Sequence, residues 1–140
     1  MAGLIATATK GFAQNQNALA FDNVDDNVTV ANASGLIAGS TQLSMTCWVR
    51  PENTTMTGLD YDGYCGFRDN AFADFYIIQL TSAGKIECRL RNSTGTTSDI
   101  NYVGMNMNQW NHLALTYDGT YMKLYHNTLL VDSIAASGSI

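Results

Sequence analysis

Short runs in which apolar and polar residues alternate, broken by Gly, Asn and Asp, extend along most of the chain. A period of two predicts β-strands, because successive side chains of a strand face opposite sides of its sheet. Leu43–Arg50 shows the pattern most clearly, and Pro51 ends this strand because proline cannot donate to a β-ladder. The sequence has no long helical period, so the pattern predicts an all-β domain.

Several further segments carry the same alternation or a short continuous apolar run. They are Ala18–Phe21, Val28–Val30, Phe75–Leu80, Lys85–Arg91, Ile100–Val103, Trp110–Tyr117, Tyr121–His126 and Leu129–Ile134, with one last strand beginning in Ala135–Ile140. Within the fourth of these segments, the side chains of Ile86, Cys88 and Leu90 are predicted to face the core.

Turn-forming residues separate the predicted strands. Asp118-Gly119 predicts a β-hairpin, because glycine readily adopts the backbone conformation that a tight turn needs. Asn53–Gly63 and Asn92–Ser98 are rich in turn-forming residues and are predicted to be loops. His126 directly precedes a predicted turn at Asn127-Thr128, and we expect its side chain to be exposed.

The composition narrows the class of partner. The chain has 140 residues, enough for one domain with a hydrophobic core. Its net charge of −5 argues against nucleic acid or an anionic membrane as partner, because either would require clustered Lys and Arg. No apolar run is long enough to cross a bilayer. Met1–Ala6 has no basic stretch and too few apolar residues for a secretory signal, so the route of any export stays open.

Three cysteines give an odd number, and their spacing does not fix their oxidation state. Cys47 and Cys88 lie in alternating strands and Cys65 lies in a glycine-flanked stretch, which favours free thiols that pack as small hydrophobic groups. A Cys65–Cys88 disulfide stays open as the alternative. The sequence has no CxxC motif and no Cys/His cluster, so we expect no structural zinc site.

Three segments, in this order, resemble the laminin-G-like family of concanavalin A-like jelly rolls. Ala20–Val28 is similar to the family's opening Phe-Asp turn, and Leu43–Pro51 is similar to its Phe-Thr-Ile-Ser-Ala-Trp-Val-Lys-Pro strand. Trp110–Gly119 and the following Lys123–Asn127 resemble its Trp-x-His-Val-Ala, Tyr-Asp-Gly and Leu-Tyr-x-Asn-Gly hairpin. The resemblance implies an antiparallel two-sheet jelly-roll sandwich, all-β, and a structural role for His112.

The chain departs from the family pattern in its turns and at its C-terminus. Asn23 and Thr128 stand where glycine is usual, and Asn27 stands where tyrosine is usual. The family continues with further strands after the segment that ends here at Ile140. The resemblance therefore implies a jelly-roll domain over residues 18–140 that lacks the usual C-terminal strands, preceded by an N-terminal arm over residues 1–17.

A sheet without its last strands would expose unpaired backbone N–H and C=O groups beside apolar side chains. A separate extended segment could fill this gap by strand addition, and if each copy lent its arm to the next, the head-to-tail contact would build an open filament. The arm has one charged residue, Lys10, and is the candidate donor strand. The alternative is an arm that folds back onto its own sandwich. The candidate assembly residues are Leu4, Ile5, Ala6, Thr7 and Phe12.

Acidic and amide side chains give two further candidate sites. Asp22, Asp25 and Asp26 could hold calcium through carboxylate oxygens, or they could bond backbone amides of a turn, and we expect no other cofactor. Asn53 and Asn92 lie in Asn-x-Thr sequons within predicted loops, and they are the candidate N-glycosylation sites if the protein is exported by a glycosylating host.

A third candidate site combines aromatic rings with carboxylates. Such groups suit sugar binding, because sugar CH groups stack on a ring while sugar hydroxyls bond to polar groups. An ordinary solvated loop is the alternative for this segment. The candidate glycan-binding residues are Asp60, Tyr61, Asp62 and Tyr64.

Catalytic motifs are missing from the sequence, which predicts a protein that is not an enzyme. There is neither a Gly-x-Ser-x-Gly nucleophile motif nor the Glu-x-Asp-x-x-Glu strand of related glucanases. We therefore expect a structural subunit that self-assembles, by strand exchange with other copies of itself, into an extracellular or virion-surface fibre. The alternative is a carbohydrate-binding or adhesion module of the laminin-G-like lectin type, with glycans as partners.

Overall fold

The computed structural model describes residues 18–21, 26–52, 62–68, 74–80 and 84–140. The chain forms two compact units, residues 1–33 and residues 34–140. In the first unit, the described residues 18–21 and 26–30 adopt no regular secondary structure. The predicted strands Ala18–Phe21 and Val28–Val30 are therefore wrong, because apolar runs this short are ambiguous and do not identify a strand by themselves.

The second unit contains the β-strands of the described residues. A short 3-10 helix, Ala33–Leu36, precedes them. The strands are β1 (Leu43–Val49), β2 (Asp62–Arg68), β3 (Asp74–Gln79), β4 (Lys85–Arg91), β5 (Thr97–Val103), β6 (Asn111–Tyr117), β7 (Tyr121–His126) and β8 (Leu129–Ala135). The all-β class predicted from the alternating pattern is confirmed.

The strands form two antiparallel sheets. Sheet A has the order β1-β6-β7-β8, and sheet B has the order β2-β3-β4-β5. The chain therefore leaves sheet A after β1, builds sheet B by successive hairpins, and returns to pair β6 with β1. Strands β1 and β2 approach each other between the sheets, as do β5 and β8, with Cα atoms within 8 Å. This arrangement confirms the predicted two-sheet sandwich.

The core lies between the sheets and is built from every second residue of the strands. Ile86, Cys88 and Leu90 of β4 are at most 1% exposed, as the alternation predicted. Burying each large apolar side chain stabilises the fold by roughly 1.5–3 kcal/mol. The other fully buried apolar side chains are Phe75, Ile77, Ile100, Leu113, Leu115, Met122 and Leu124.

Strand β2 lies partly in a segment that the sequence predicted as a loop. The ladder with β3 shifts register between Gly63 and Cys65, so Tyr64 is the extra residue of a β-bulge. Tyr64 and Cys65 both pack against the core as a result, although they are adjacent in the chain. The bulge and the glycines beside it interrupt the alternation of apolar and polar residues by which a strand is recognised in a sequence.

Two other boundaries differ from the prediction. Strand β5 begins at Thr97 and not at Ile100, since the polar residues of its first half hid it within a predicted loop. No strand begins in residues 136–140, which are held instead by individual backbone bonds. The N–H of Ile140 donates to the carbonyl of Ser40 at 3.0 Å, and the N–H of Ser93 donates to that of Ser139 at 2.8 Å.

His126 belongs to a buried polar network, which corrects the prediction that it is exposed. It is 7% exposed and continues the inward-facing positions of β7. Its Nε2 lies 2.8 Å from Oδ1 of Asn111, and its Nδ1 lies 3.0 Å from the Tyr102 hydroxyl. Asn111 in turn donates from Nδ2 to the carbonyls of Asn106 and Gln109, at 2.9 and 2.7 Å. Burial lowers the pKa of His126 below its usual value.

Candidate functional site

Charged and aromatic side chains cover the outer face of sheet B. In the strand register Tyr76 lies beside Arg89, which lies beside Asp99 on the next strand. Arg89 donates to both carboxylate oxygens of Asp99, at 2.7 Å from Nε and 3.0 Å from Nη2. Glu87 lies 3.4 Å from Arg89 and accepts a hydrogen bond of 2.9 Å from the Tyr76 hydroxyl. These groups therefore satisfy one another's charge and hydrogen bonding.

The ring of Tyr76 also contacts two guanidinium groups. Those of Arg68 and Arg89 each lie 5.7 Å from the ring centroid, within the range of a cation–π interaction. Gly66 faces Tyr76 across the ladder, where an added Cβ would come within 2.4 Å of the Tyr76 Cβ. Burial and the acceptor Glu87 raise the pKa of Tyr76 above its usual value, so its hydroxyl remains a donor at neutral pH.

A buried carboxylate completes this face. Asp74 is 2% exposed, and its Oδ2 forms an ion pair of 3.0 Å with Nε of Arg91. Its other oxygen, Oδ1, has no hydrogen-bond partner among the described residues. Because a buried carboxylate costs free energy unless it is paired, Asp74 depends on Arg91. The outer face of sheet B therefore offers mainly side chains that are already engaged.

The outer face of sheet A leaves an aromatic ring open to solvent. Trp48 is 55% exposed, and its ring centroid lies 5.0 Å from that of its cross-strand neighbour His112. Two residues before Trp48, Thr46 pairs with Ala114, which pairs with Tyr125. Strand spacing and rise place the backbones at Trp48 and Tyr125 roughly 12 Å apart. His112 and Ala114, both on β6, lie between the two aromatic residues.

A shallow, open depression adjoins Tyr125, and we call it the Tyr125 groove. Its volume is about 370 Å³, at the lower end of the range for small-molecule sites. Ser44 and Thr116 pair across β1 and β6 and contribute short hydroxyl groups, whereas Lys123 and Tyr125 contribute longer side chains. The lining residues are Gln42, Leu43, Ser44, Thr116, Tyr117, Asp118, Lys123 and Tyr125.

The turn after β6 fixes the charged groups of the Tyr125 groove. Asp118 Oδ1 accepts from the backbone N–H groups of Thr120 and Tyr121, at 3.0 and 2.8 Å. Its Oδ2 accepts from Nζ of Lys123 at 2.7 Å. The Lys123 ammonium and these donors hold the pKa of Asp118 well below its usual range, and Asp118 raises the pKa of Lys123. The groove thus carries two charges of opposite sign and no net charge.

The calcium and assembly predictions fall largely outside the described residues. Asp22 and Asp25 are not among them, and Asp26 is exposed in a segment without regular structure. The described parts of the chain contain no group of three or more His, Cys, Asp or Glu side chains that could hold a metal ion. The arm residues Leu4, Ile5, Ala6, Thr7 and Phe12 lie outside the described residues as well.

The glycan-binding segment predicted from sequence is only partly described. Asp60 and Tyr61 lie outside the described residues, and only the backbone of Asp62, the first residue of β2, is described. Tyr64 is half-buried, packs against the core, and donates its hydroxyl hydrogen to Oε1 of Gln79. The structure therefore does not place Tyr64 with Tyr125 and Lys123 on the outer face of sheet A.

Of the two candidate glycosylation sites, Asn53 lies outside the described residues and Asn92 is 5% exposed. The Asn92 Oδ1 atom accepts from the N–H groups of Thr94 and Thr96, at 3.1 and 2.9 Å. Its Nδ2 atom donates to the carbonyl of Ser137 at 2.9 Å. The nitrogen that a glycan would modify is therefore part of a nearly buried, hydrogen-bonded side chain.

The three cysteines are free thiols. The register excludes the Cys65–Cys88 disulfide that the sequence left open, because both residues pair with Ile77 from opposite sides of β3. Two strand spacings separate their Cα atoms by about 9–10 Å, beyond the span of a disulfide.

The residues of the Tyr125 groove were missed by sequence reasoning. They come from the start of β1, the end of β6 and the middle of β7, so the pairing of three strands is needed to bring them together. The outward alternation of Tyr121, Lys123 and Tyr125 was the one local signal available. It identifies a solvent-facing aromatic position without showing what lies beside it.

Two antiparallel four-stranded sheets around one core define a sandwich of the lectin-like jelly-roll class. A laminin-G family model, described as the concanavalin A-like lectin/glucanases superfamily, matches residues 22–140. The chain therefore belongs to this superfamily, which confirms the family that its three motif segments predicted.

A solved structure shares the fold. The crystal structure of the binding domain of Paraclostridial Mosquitocidal Protein 1 aligns with a TM-score of 0.60 and 18% sequence identity. The alignment covers 74% of this chain and 28% of the other, so this chain spans little more than a quarter of its length. Comparison with curated protein sequences gives no significant match. Among the described segments, none forms a helix with the length and hydropathy of a membrane span.

These findings favour one of the two functions predicted from sequence. Membership of a lectin-containing superfamily agrees better with the binding-module alternative than with the fibre. Neither comparison supports strand exchange between copies.

Proposed function

We propose that the chain is a carbohydrate-binding module that holds glycans on the outer face of sheet A, in the Tyr125 groove and across to Trp48. The observation that carries this proposal is the groove itself, where an aromatic residue stands beside hydroxyl, amide, ammonium and carboxylate groups. Sugars need this mixture, because their CH faces stack on rings while their hydroxyls require both donors and acceptors. Membership of a lectin-containing superfamily supports the same function.

The charge and spacing of this face favour a class of glycan. Asp118 and Lys123 neutralise each other at 2.7 Å, so the groove has no excess charge to recognise an acidic sugar. Trp48 and Tyr125 stand roughly 12 Å apart by strand geometry, which is too far for one pyranose ring to contact both. The proposed ligand is therefore an uncharged oligosaccharide whose successive sugars cross the strands of sheet A.

The outer face of sheet B is the contrasting surface on which we do not place the glycan. Its arginines and carboxylates are engaged with one another, as in the pair of hydrogen bonds from Arg89 to Asp99. A sugar would have to break these charge-assisted contacts before it could make its own.

The test is a glycan array on the purified chain, followed by calorimetric titration of the best uncharged oligosaccharide. Tyr125→Ala is expected to weaken binding at least tenfold, because it removes the ring that borders the groove. Tyr121→Ala is the matched control: it removes the same side chain from the same strand, at a position that does not line the groove. We expect it to change the affinity less than twofold.

Two results would contradict this placement. Equal losses in the two tyrosine variants would mean that the ring at Tyr125 has no special part, and an array without reproducible hits would remove the glycan proposal altogether. EDTA is a further check. Among the described residues Asp118 is the single carboxylate that lines the groove, so binding there is expected to persist when calcium is removed.

A further inference from the structure

The three thiols lie in one part of the core, and Cys47 and Cys65 come from edge strands of different sheets. Cys47 belongs to β1 of sheet A, whereas Cys65 and Cys88 belong to β2 and β4 of sheet B. All three pack in the same hydrophobic cluster. Cys88 is fully buried, while Cys47 and Cys65 keep partial exposure.

Strand geometry brings Cys47 and Cys65 together. Strands β1 and β2 are the first strands of their sheets and approach each other across the sandwich, with Cα atoms within 8 Å. The bulge at Tyr64 turns Cys65 towards the interior. The thiols of Cys47 and Cys65 lie close enough to shift each other's pKa. Thiols that interact across two adjoining strands meet the first requirement for a disulfide, which is proximity.

We propose that Cys47 and Cys65 are a redox site that closes to a disulfide linking the two sheets when a low-molecular-weight disulfide, such as glutathione disulfide, is the oxidant. The thiolate of Cys65 attacks one sulfur of the oxidant, whose S–S bond breaks and releases one glutathione thiolate. The thiolate of Cys47 then attacks the Cys65 sulfur and displaces the second glutathione. The two cysteines lose two electrons and two protons, and one glutathione disulfide becomes two glutathione molecules.

The surroundings assign the roles within the pair. The neighbouring thiol of Cys47 lowers the pKa of Cys65 and makes it the thiol that ionises first. The same contact and burial raise the pKa of Cys47, which ionises more easily once the Cys65 thiolate has been consumed. Burial also raises the pKa of Cys88, so the third thiol is neither reached nor activated.

The experiment uses the full chain, first reduced and then equilibrated with glutathione disulfide. Intact mass spectrometry is expected to show loss of two hydrogens with no retained glutathione. Digestion before Asp60 and Asp62 separates Cys47 from Cys65, so the bridge can be mapped as a linked peptide pair. Trypsin is unsuitable, because Pro51 blocks cleavage after Arg50 and leaves both cysteines on one peptide. Oxidation is expected to raise the Tm by about 5–10 °C.

Single variants make the assignment specific. Cys47→Ala is expected to stop at a glutathione adduct on Cys65 with no rise in Tm, and Cys65→Ala is expected to form no bridge and to show no rise in Tm either. Cys88→Ala is the matched control and should still close the bridge; if it fails to fold, the map of the unaltered chain decides alone. A bridge that includes Cys88, a disulfide between two chains, or persistent free thiols under conditions that oxidise a reference dithiol would each overturn the proposal.

Discussion

The outer faces of the two sheets carry similar polar and aromatic residues but use them differently. On sheet B, Arg89 and Asp99 hold each other through two hydrogen bonds, and Tyr76 donates to Glu87. On sheet A, Trp48 is 55% exposed, and Tyr125 borders an open groove. Polar and aromatic groups that are bonded to one another stabilise a fold, whereas groups left open beside a depression can bind a ligand. The comparison predicts that mutations separate stability from binding.

The largest expected effect lies on sheet B. Asp74→Ala leaves the Arg91 guanidinium without its buried partner, and we expect a loss of roughly 2–3 kcal/mol in the free energy of unfolding. Urea denaturation, monitored by tryptophan fluorescence, measures this free energy of unfolding. Asn101→Ala, at an exposed position of the same sheet, is the control and should change stability by less than about 0.5 kcal/mol. The folded Asp74→Ala variant should bind glycan with the same affinity as the unaltered chain. A large loss of affinity would contradict the distinction between the two faces.

The second effect is on binding alone. Replacing both Trp48 and Tyr125 by Ala is expected to weaken oligosaccharide binding about a hundredfold, as two stacking contacts are lost, each worth about 1.4 kcal/mol. Stability should fall by less than about 1 kcal/mol, because Trp48 is more than half exposed. Calorimetric titration and urea denaturation on the same samples measure the two quantities. A double variant that loses much of its stability and still binds the oligosaccharide would contradict the comparison, because these residues would then serve the fold and not the ligand.

A smaller effect sharpens the account of sheet B. Tyr76→Phe removes the hydroxyl that donates to Glu87 but keeps the ring beside the guanidinium groups of Arg68 and Arg89. We expect stability to fall by about 1 kcal/mol, the usual worth of one hydrogen bond. Tyr76→Leu, which also removes the ring, should cost more. Equal costs for Phe and Leu would show that the cation–π contacts contribute nothing.

The pH dependence of stability should arise beneath sheet A and not from its groove. Burial lowers the pKa of His126 in the folded state, so the unfolded chain binds a proton more readily. Stability is then fully present above the ordinary pKa of 6.5 and is lost as the pH falls below it. Denaturation between pH 7.5 and 5.5 measures this slope, which His126→Gln should flatten. Asp118 and Lys123 stay charged throughout, so affinity per folded molecule should not change.

The smallest expected effect concerns the ion pair of the Tyr125 groove. Both side chains are exposed to solvent, so Lys123→Met should leave the urea midpoint nearly unchanged. The same variant removes a hydrogen-bond donor from the groove and is expected to weaken glycan binding two- to fivefold. A pronounced loss of stability together with unchanged affinity would mean that the pair serves the hairpin turn and not the ligand.

The fold could be predicted from the sequence wherever one face of a strand is buried. Leu43–Val49 and Tyr121–His126 alternate because one side of each strand packs on the core, and the alternation is visible without any partner. The same reasoning failed at Asp62–Arg68, where the bulge at Tyr64 sends two adjacent side chains inward. The alternation of β7 continues to His126 and indicates that its side chain faces inward, although the turn that follows it suggested exposure.

The sequence by itself determined the class of fold, because hydrophobic alternation and turn residues act over a few neighbouring positions. Only the tertiary structure decided which polar and aromatic residues meet. Ser44, Thr116 and Lys123 are far apart in the chain and become neighbours through the β1–β6–β7 pairing. Cys47 and Cys65 meet only because two edge strands close across the sandwich. These contacts depend on strand order and register. Both are set by the packing of the whole core, so they cannot be recognised in any single segment of the sequence.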